Sequence, residues 1–387
     1  MKEIKVVVAG VGVVGSNVVS NLAEKRDYFA KRFNVDLQVV AISSRSKKDF
    51  PCKWYNDPIR MIDQENPDIV CELIGGDSGV AHEVAIKTLS ESRTLITANK
   101  ALLAKVGNEL LDLAKEHNAK LYFEAAVGGA LPIVQILSSN LNYNKINAFS
   151  GILNGTANYI LTNMHKEKQA LDVIISRAQE LGLAESDPTF DICGIDAGQK
   201  LAIMNSLIYN VSFKADHIKV IGIDKITVGD VKAAEHFGAR IKLVAGASFI
   251  DSVLSARVAP SFCVPENFLY NIDYAMNAVN FKTDMATDMA LVSHGAGGVQ
   301  TAHAVLSDIQ ACITNVEAPI CNMIHEVSDY KTLEFYGNLI VKTNIKQGDI
   351  IAEPVNIDGS YYYLMEDVHE RDLPEIFEGE ITYFPYG

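Results

Sequence analysis

Hydrophobic residues in the first half of the chain come in short runs separated by segments of helical period. Ile4-Lys5-Val6-Val7-Val8-Ala9 is a β-branched run of the kind a buried parallel strand requires. A helical pattern follows it, with Val14, Val18, Val19 and Leu22 on one side. Further strands are predicted at 37–42, 68–74, 94–98 and 120–127, with helices at about 80–90 and 106–117. Strands that alternate with helices indicate a doubly wound α/β sheet. After Ser150 the pattern changes. A glycine-bearing turn, Gly151 to Tyr159, leads into a helix, and a long helix runs from near Gly194 to about Asn210. Residues 239–260 and 272–282 alternate as antiparallel strands do, which predicts a second, α+β domain.

Glycines fall where those elements change. Gly10-Val11-Gly12-Val13-Val14-Gly15 joins the first strand to its helix. In a dinucleotide-binding turn, Gly10 permits the tight turn and Gly12 admits the pyrophosphate. Gly15 lets helix and strand pack closely, while the helix N-terminus, beginning at Val13 and Val14, faces the phosphates. Gly75-Gly76 and Asn99-Lys100 follow later strands, at the carboxyl ends where open α/β sheets bind ligands. The second strand ends in Ser43-Ser44-Arg45-Ser46-Lys47-Lys48, with no acidic residue for a ribose 2′-hydroxyl. Arg45 and its basic neighbours suit a 2′-phosphate, so NADP is expected ahead of NAD; the bland alternative is a basic surface loop. A later segment, Ser293-His294-Gly295-Ala296-Gly297-Gly298, reads as a loop closing on the cofactor or as a bare turn.

Composition narrows the class. The 387 residues are 48% hydrophobic and 21% charged, which fits two or three globular domains. A net charge of −14 argues against nucleic-acid and anionic-membrane partners. The six cysteines are scattered without zinc spacing, so most are expected to be buried hydrophobes in a reducing compartment. A catalytic thiol at Cys193 is the less favoured reading. No signal pattern precedes the first strand and no apolar run spans a bilayer, so a cytoplasmic protein is expected.

The candidate chemistry gathers in 185–200. Glu185, Asp187 and Asp191 are expected on a loop interrupted by Pro188, and Asp196 and Lys200 on one face of the following helix, four residues apart. A carboxylate and an amine so placed can grip an ammonium group and move a proton. Taken alone, the same residues also read as a solvated acidic loop and a surface ion pair. Lys100 at a helix start is disfavoured by the helix dipole, which points to a ligand oxygen or else to simple solvation. Thr156 could help hold a carboxylate, or simply cap its helix.

In order and spacing the chain resembles the homoserine dehydrogenases from residue 1 to about 310. The resemblance rests on Gly10 to Gly15, Glu72-Leu73-Ile74-Gly75-Gly76, and Thr97-Ala98-Asn99-Lys100-Ala101-Leu102-Leu103-Ala104. It continues through Glu124-Ala125-Ala126-Val127-Gly128-Gly129-Ala130-Leu131-Pro132, Gly151 to Tyr159, the stretch 185–200, and Gly295 to Ala302. It implies an NAD(P)-dependent interconversion of L-aspartate 4-semialdehyde and L-homoserine, in threonine and methionine biosynthesis. Carried over residue by residue, Lys100, Lys200 and Asp196 are catalytic, and Gly155, Thr156, Glu185 and Asp191 bind the amino-acid substrate. Gly10, Gly12, Val13, Val14, Gly15, Arg45, Gly75, Asn99, Lys100 and Gly297 bind the cofactor. Glu124, Val127, Gly129 and Leu131 match the family's site for a monovalent cation, commonly sodium. The implied organisation is a Rossmann dinucleotide-binding domain at 1–135 and an α+β substrate and dimerisation domain at 136–310. A closing helix and a C-terminal extension at 311–387 complete it, and a homodimer is implied. Two features depart from the family. Ser293-His294 stands where Gly-Pro is usual, and the tail, with strand-like 339–343, then Lys346-Gln347-Gly348-Asp349-Ile350-Ile351 and Tyr361-Tyr362-Tyr363-Leu364, shows no clear ACT regulatory pattern. Competing readings are a dehydrogenase of another amino-acid semialdehyde and a catalytically silent NAD(P)-binding regulator.

Overall fold

The computed structural model describes residues 1–295, 297–319, 327–332, 334–347 and 353–387. Ala296 of the late glycine segment, Cys321, and Gly348 to Ile351 of the tail motif lie outside the described residues. The chain divides into two units. One comprises Met1–Asn144, Ala202–Ala215 and Ala296–Glu326; the other comprises Lys145–Leu201, Asp216–Gly295 and Val327–Gly387. The units therefore interleave in sequence, with boundaries other than 135 and 310, and the helix Gly298–Ile313 belongs to the first.

The first unit contains β1 (Lys2–Ala9), β2 (Val35–Ser43), β3 (Lys53–Tyr55), β4 (Ile69–Glu72), β5 (Thr94–Thr97) and β6 (Lys120–Tyr122). They form one parallel sheet in the order β3-β2-β1-β4-β5-β6. Val6 to Ala9 of β1 are wholly buried, which is why that run carries no alternation. The strand order reverses between β1 and β4, so their carboxyl ends open a ligand crevice.

Two elements differ from expectation here. The strand predicted over 120–127 ends at Tyr122, and Glu124–Ala126 is a 3-10 turn. The Glu124 carboxylate accepts the N–H groups of Val134 and Gln135, and its own N–H donates to Asp308 Oδ2, so the chain turns inward and leaves the ladder. The helix predicted from 106 begins at Lys100 and carries a kink at Val106. Asn99 caps it, its side chain accepting the Leu102 N–H.

The second unit is built on β7 (Ile146–Ile152), β8 (Lys219–Val220), β9 (Arg240–Ile250), β10 (Val253–Cys263), β11 (Met276–Thr283), β12 (Asp288–His294) and β13 (Asp329–Thr332). Their order is β12-β11-β7-β9-β10-β13, with β8 also on β10. Asp251 and Ser252, both at positive φ, make the two-residue turn that joins β9 to β10. Ser293 and His294 close β12 and are strand residues, so the late glycine loop begins only at Gly295. Asp191 lies on a short helix, Thr189–Ile192, where a loop was expected.

The tail forms β14 (Tyr336–Thr343), β15 (Val355–Ile357), β16 (Ser360–His369) and β17 (Ile381–Pro385), an antiparallel sheet in the order β15-β16-β14-β17. It packs within the second unit. Arg257 Nη1 meets Glu370 Oε2 at 2.6 Å, Tyr362 donates to Asp230 Oδ1 at 2.9 Å, and Phe262 stacks on Phe384 at 4.9 Å between ring centres.

Candidate active site

Backbone geometry makes the dinucleotide turn. Gly10 has φ +98°, and a Cβ there would lie 2.4 Å from Leu73 O; a Cβ on Gly15 would lie 2.1 Å from Gly10 O. Neither position admits another residue. Gly12, the residue before the helix Val13–Phe33, faces open space, and Val13 beside it is 72% exposed. A phosphate can therefore approach the N–H groups of that helix. Within the same unit, a Cβ on Gly298 would lie 2.4 Å from Val13 Cγ1. The helix that follows the late glycine loop thus starts against the dinucleotide turn. Gly297, at φ +131°, leads into it. Arg45, Lys47 and Lys48 are exposed beyond the end of β2.

The ends of β4 and β5 are locked by one buried carboxyl. Glu72 is wholly buried; its Oε1 accepts the Ile74 N–H at 2.8 Å and its Oε2 accepts the Thr97 hydroxyl at 2.7 Å. Thr97 Oγ1 in turn accepts the Asn99 N–H at 3.0 Å, and Asn99 Nδ2 donates to Gly76 O at 2.7 Å. Gly75 and Gly76 both have positive φ and open surroundings. The network fixes the glycine turn after β4 and the helix start that carries Lys100. Burial raises the Glu72 carboxyl above its ordinary range, against hydrogen bonds from Thr97, Ile74 and Asn99 that lower it.

In the second unit, Asp196 and Lys200 form a buried pair on the helix Ile195–Tyr209, with Nζ to Oδ2 at 2.7 Å. The two residues are 3% and 9% exposed, so the ordinary surface pair is ruled out. Lys200 Nζ also donates to Leu153 O at 2.8 Å, and Asn277 Nδ2 donates to the same oxygen at 3.1 Å. Asn154 Nδ2 donates to Asp191 Oδ1 at 2.7 Å and to Asp196 Oδ2 at 2.8 Å. Asp191, Asp196 and Lys200 are thereby brought together. Glu185 is exposed, and its backbone carbonyl accepts from Gln179 Nε2. Thr156 does not cap its helix. Asn154 does, accepting the Ala157 N–H, while the Thr156 hydroxyl donates to Leu183 O at 2.9 Å. Gly155 sits where a Cβ would lie 2.9 Å from Ala275 O. The Cys193 thiol is pushed up, chiefly by burial, with Asp224 and Asp187 adding to it, which disfavours a thiolate nucleophile.

Comparison with known proteins decides the class. Residues 10–124 match the model for the homoserine dehydrogenase NAD binding domain, and residues 132–310 match the homoserine dehydrogenase model. A homoserine dehydrogenase of Neisseria gonorrhoeae is 34% identical over 329 residues, 84% of this chain and 75% of the relative. One from Helicobacter pylori is 39% identical over 311 residues, 80% of this chain and 73% of the relative. The chain belongs to the homoserine dehydrogenase family. It is accordingly an NAD(P)-dependent oxidoreductase, as its motifs implied. The crystal structure of a homoserine dehydrogenase from Thiobacillus denitrificans superposes with a TM-score of 0.90 at 28% identity, over 100% of this chain and 99% of that one. A hyperthermophilic archaeal homoserine dehydrogenase in complex with NADPH does so with a TM-score of 0.70 at 28% identity, over 82% of this chain and 100% of that one.

Within the first unit lies the turn of residues 124–131, where the resemblance implies a cation site. Val127 and Leu131 are buried, Gly129 has φ +62°, and Leu131 N donates to Gly128 O. The Glu124 carboxylate accepts two N–H groups and its main-chain carbonyl accepts the Val127 N–H, so a cation here would share oxygens that already hold backbone donors. An all-oxygen set of this kind suits a hard cation. Among the described residues no group of three or more His, Cys, Asp and Glu side chains gathers as a metal site.

Sequence reasoning missed Asn154, Asn277 and Glu72. Asn154 carried a usable signal, because an asparagine before a helix is a cap candidate. Its contacts with the two aspartates carried none.

Proposed function

We propose that this homoserine dehydrogenase interconverts L-aspartate 4-semialdehyde and L-homoserine, with the buried Asp196–Lys200 pair at the reacting oxygen. The observation that carries this reading is the hold on Lys200. Two of its three protons go to Asp196 and Leu153 O, and in this reading the third goes to a substrate carbonyl. The nicotinamide, when bound, supplies the redox chemistry. Lys200 stabilises the developing alkoxide and donates its proton, and Lys100 is carried over from the resemblance as a second catalytic lysine. In the alcohol-oxidising direction a neutral amine takes the hydroxyl proton, so oxidation rises toward alkaline pH. Asp191 and Glu185 grip the substrate ammonium, and Gly155 and Thr156 hold its carboxylate end.

Gly10, Gly12, Val13, Val14, Gly15, Gly75, Asn99 and Gly297 line the cofactor, and Arg45 with Lys47 and Lys48 takes the 2′-phosphate of NADP. Glu124, Val127, Gly129 and Leu131 hold a structural monovalent cation, sodium, through carbonyl oxygens. The second unit supports a homodimer, for which β12 offers an amphipathic edge strand. No helix among the described residues is long and apolar enough to cross a membrane. A cytoplasmic location is part of the proposal, as suits an enzyme of amino-acid biosynthesis.

The test is turnover of each substrate with each nicotinamide cofactor. Homoserine oxidation that rises with pH is expected, with KM lower for NADP than for NAD and the difference reduced in Arg45→Ala. A flat profile from neutral pH to about 10, the range in which amines titrate, would remove the lysine from the proton transfer.

A further inference from the structure

Leu153 and Asn154, adjacent in the chain, between them meet both charges of the reacting pair. The Leu153 carbonyl accepts from the Lys200 ammonium at 2.8 Å, while Asn154 Nδ2 donates to Asp196 Oδ2 at 2.8 Å and to Asp191 Oδ1 at 2.7 Å. Its other amide atom, Oδ1, accepts the Ala157 N–H at 2.7 Å and so starts the helix Gly155–Glu167. The residue is 4% exposed, which makes each of these bonds costly to lose. Asn277 steadies the same carbonyl, and is held in its turn. A Cβ on Gly295 would fall 2.0 Å from Asn277 Oδ1.

We propose that Asn154 is a positioning residue that sets the spacing and orientation of Asp191 and Asp196. Two carboxylates brought to one point repel, and a single NH2 group that donates to both offsets the repulsion while each keeps an oxygen for another partner. The arrangement couples the acid assigned to substrate grip with the acid assigned to the reacting oxygen. It therefore rests on the catalytic reading above, but it adds a residue to which that reading gives no role.

The two amide atoms separate the structural role from the positioning role. Asn154→Asp keeps an oxygen for the helix cap and loses both N–H donors; Asn154→Ser keeps a capping hydroxyl and cannot bridge the acids. Both variants are expected to fold and to bind NADPH, read by its fluorescence, as the wild type does. Both are expected to lose roughly ten- to hundred-fold in kcat for homoserine, the equivalent of one to two charge-assisted hydrogen bonds, with a raised substrate KM. Wild-type kcat and KM in a folded Asn154→Ser would overturn the proposal, as would a loss confined to Asn154→Asp, which would report only added negative charge. NADPH affinity falling in step with kcat would mark a general disturbance and count against it equally. Should wild-type protein itself fail to turn over homoserine, the catalytic reading falls instead. The bridge is then read by crystallography of Asn154→Ser, where displaced Asp191 and Asp196 carboxylates support it and unmoved ones refute it.

Discussion

Asp196 in the second unit and Glu72 in the first are both buried carboxyls beside residues assigned to the site, yet they are held in different ways. Asp196 has a lysine ammonium at 2.7 Å and an asparagine N–H. Glu72 is held by a hydroxyl and a peptide N–H, and its carboxyl is pushed up by burial. An ion pair favours the charged form of a buried carboxyl, whereas burial shifts Glu72 toward the neutral form against the hydrogen bonds it accepts. The first arrangement suits an acid that must face a reacting centre. The second suits a clamp, because what it fixes is backbone: the turn at Gly75-Gly76 and the helix start at Lys100.

The comparison breaks most sharply at the lysine. Lys200→Ala is expected to lower kcat by roughly 10²- to 10⁴-fold, the usual range for a positioned general acid, with cofactor binding retained. Stopped-flow turnover alongside NADPH titration checks this. A variant within a few-fold of wild type would reduce the pair to a structural role.

Asp196→Asn should show the next largest effect, and in stability as well as rate. It leaves Lys200 buried without its counter-charge, at a cost on the order of 3 kcal/mol. A fall in the urea midpoint together with loss of kcat is expected. Unchanged stability would mean that Leu153 O alone satisfies the ammonium.

Much of this contrast follows the range over which sequence speaks. Asp196 and Lys200 are four apart on one helix, so the pair was visible from spacing, although its burial was not. The dinucleotide turn was visible because each glycine requirement is local, and the parallel sheet because strands and helices alternate. Asn154 meets its acids 37 and 42 residues away, and Asn277 meets Leu153 across 124. Those partners are set by folding, and nothing periodic announces them. The tail illustrates the same limit. Its strand at 339–343 was legible, but Arg257 and Glu370, 113 residues apart, which join it to the central sheet, were not. The strand expected to run to 127 failed because Glu124 takes part in a long-range contact with Asp308 that no propensity encodes.

Glu72→Gln is expected to do least, and to do it in a particular direction. The folded-state pKa is raised above the ordinary glutamate value of 4.5, so the folded protein binds this proton more tightly than the unfolded chain. Its contribution to stability is therefore full below about pH 4.5 and is lost as pH rises through the folded value. Glu124, pushed up to about 7 by burial, acts in the same sense, so the wild-type curve alone does not isolate Glu72. The difference between wild type and Glu72→Gln does. Glutamine mimics the protonated acid, keeps an acceptor for Ile74 or Thr97, and carries no titration. The variant should match wild type at acid pH to within about 1 kcal/mol, the scale of one rearranged neutral hydrogen bond. It should then gain on wild type as pH rises above 4.5. Urea unfolding across that range measures the gap. A gap that stays flat, or one that narrows with pH, would show that folding does not raise the Glu72 carboxyl and would erase the distinction between the two acids.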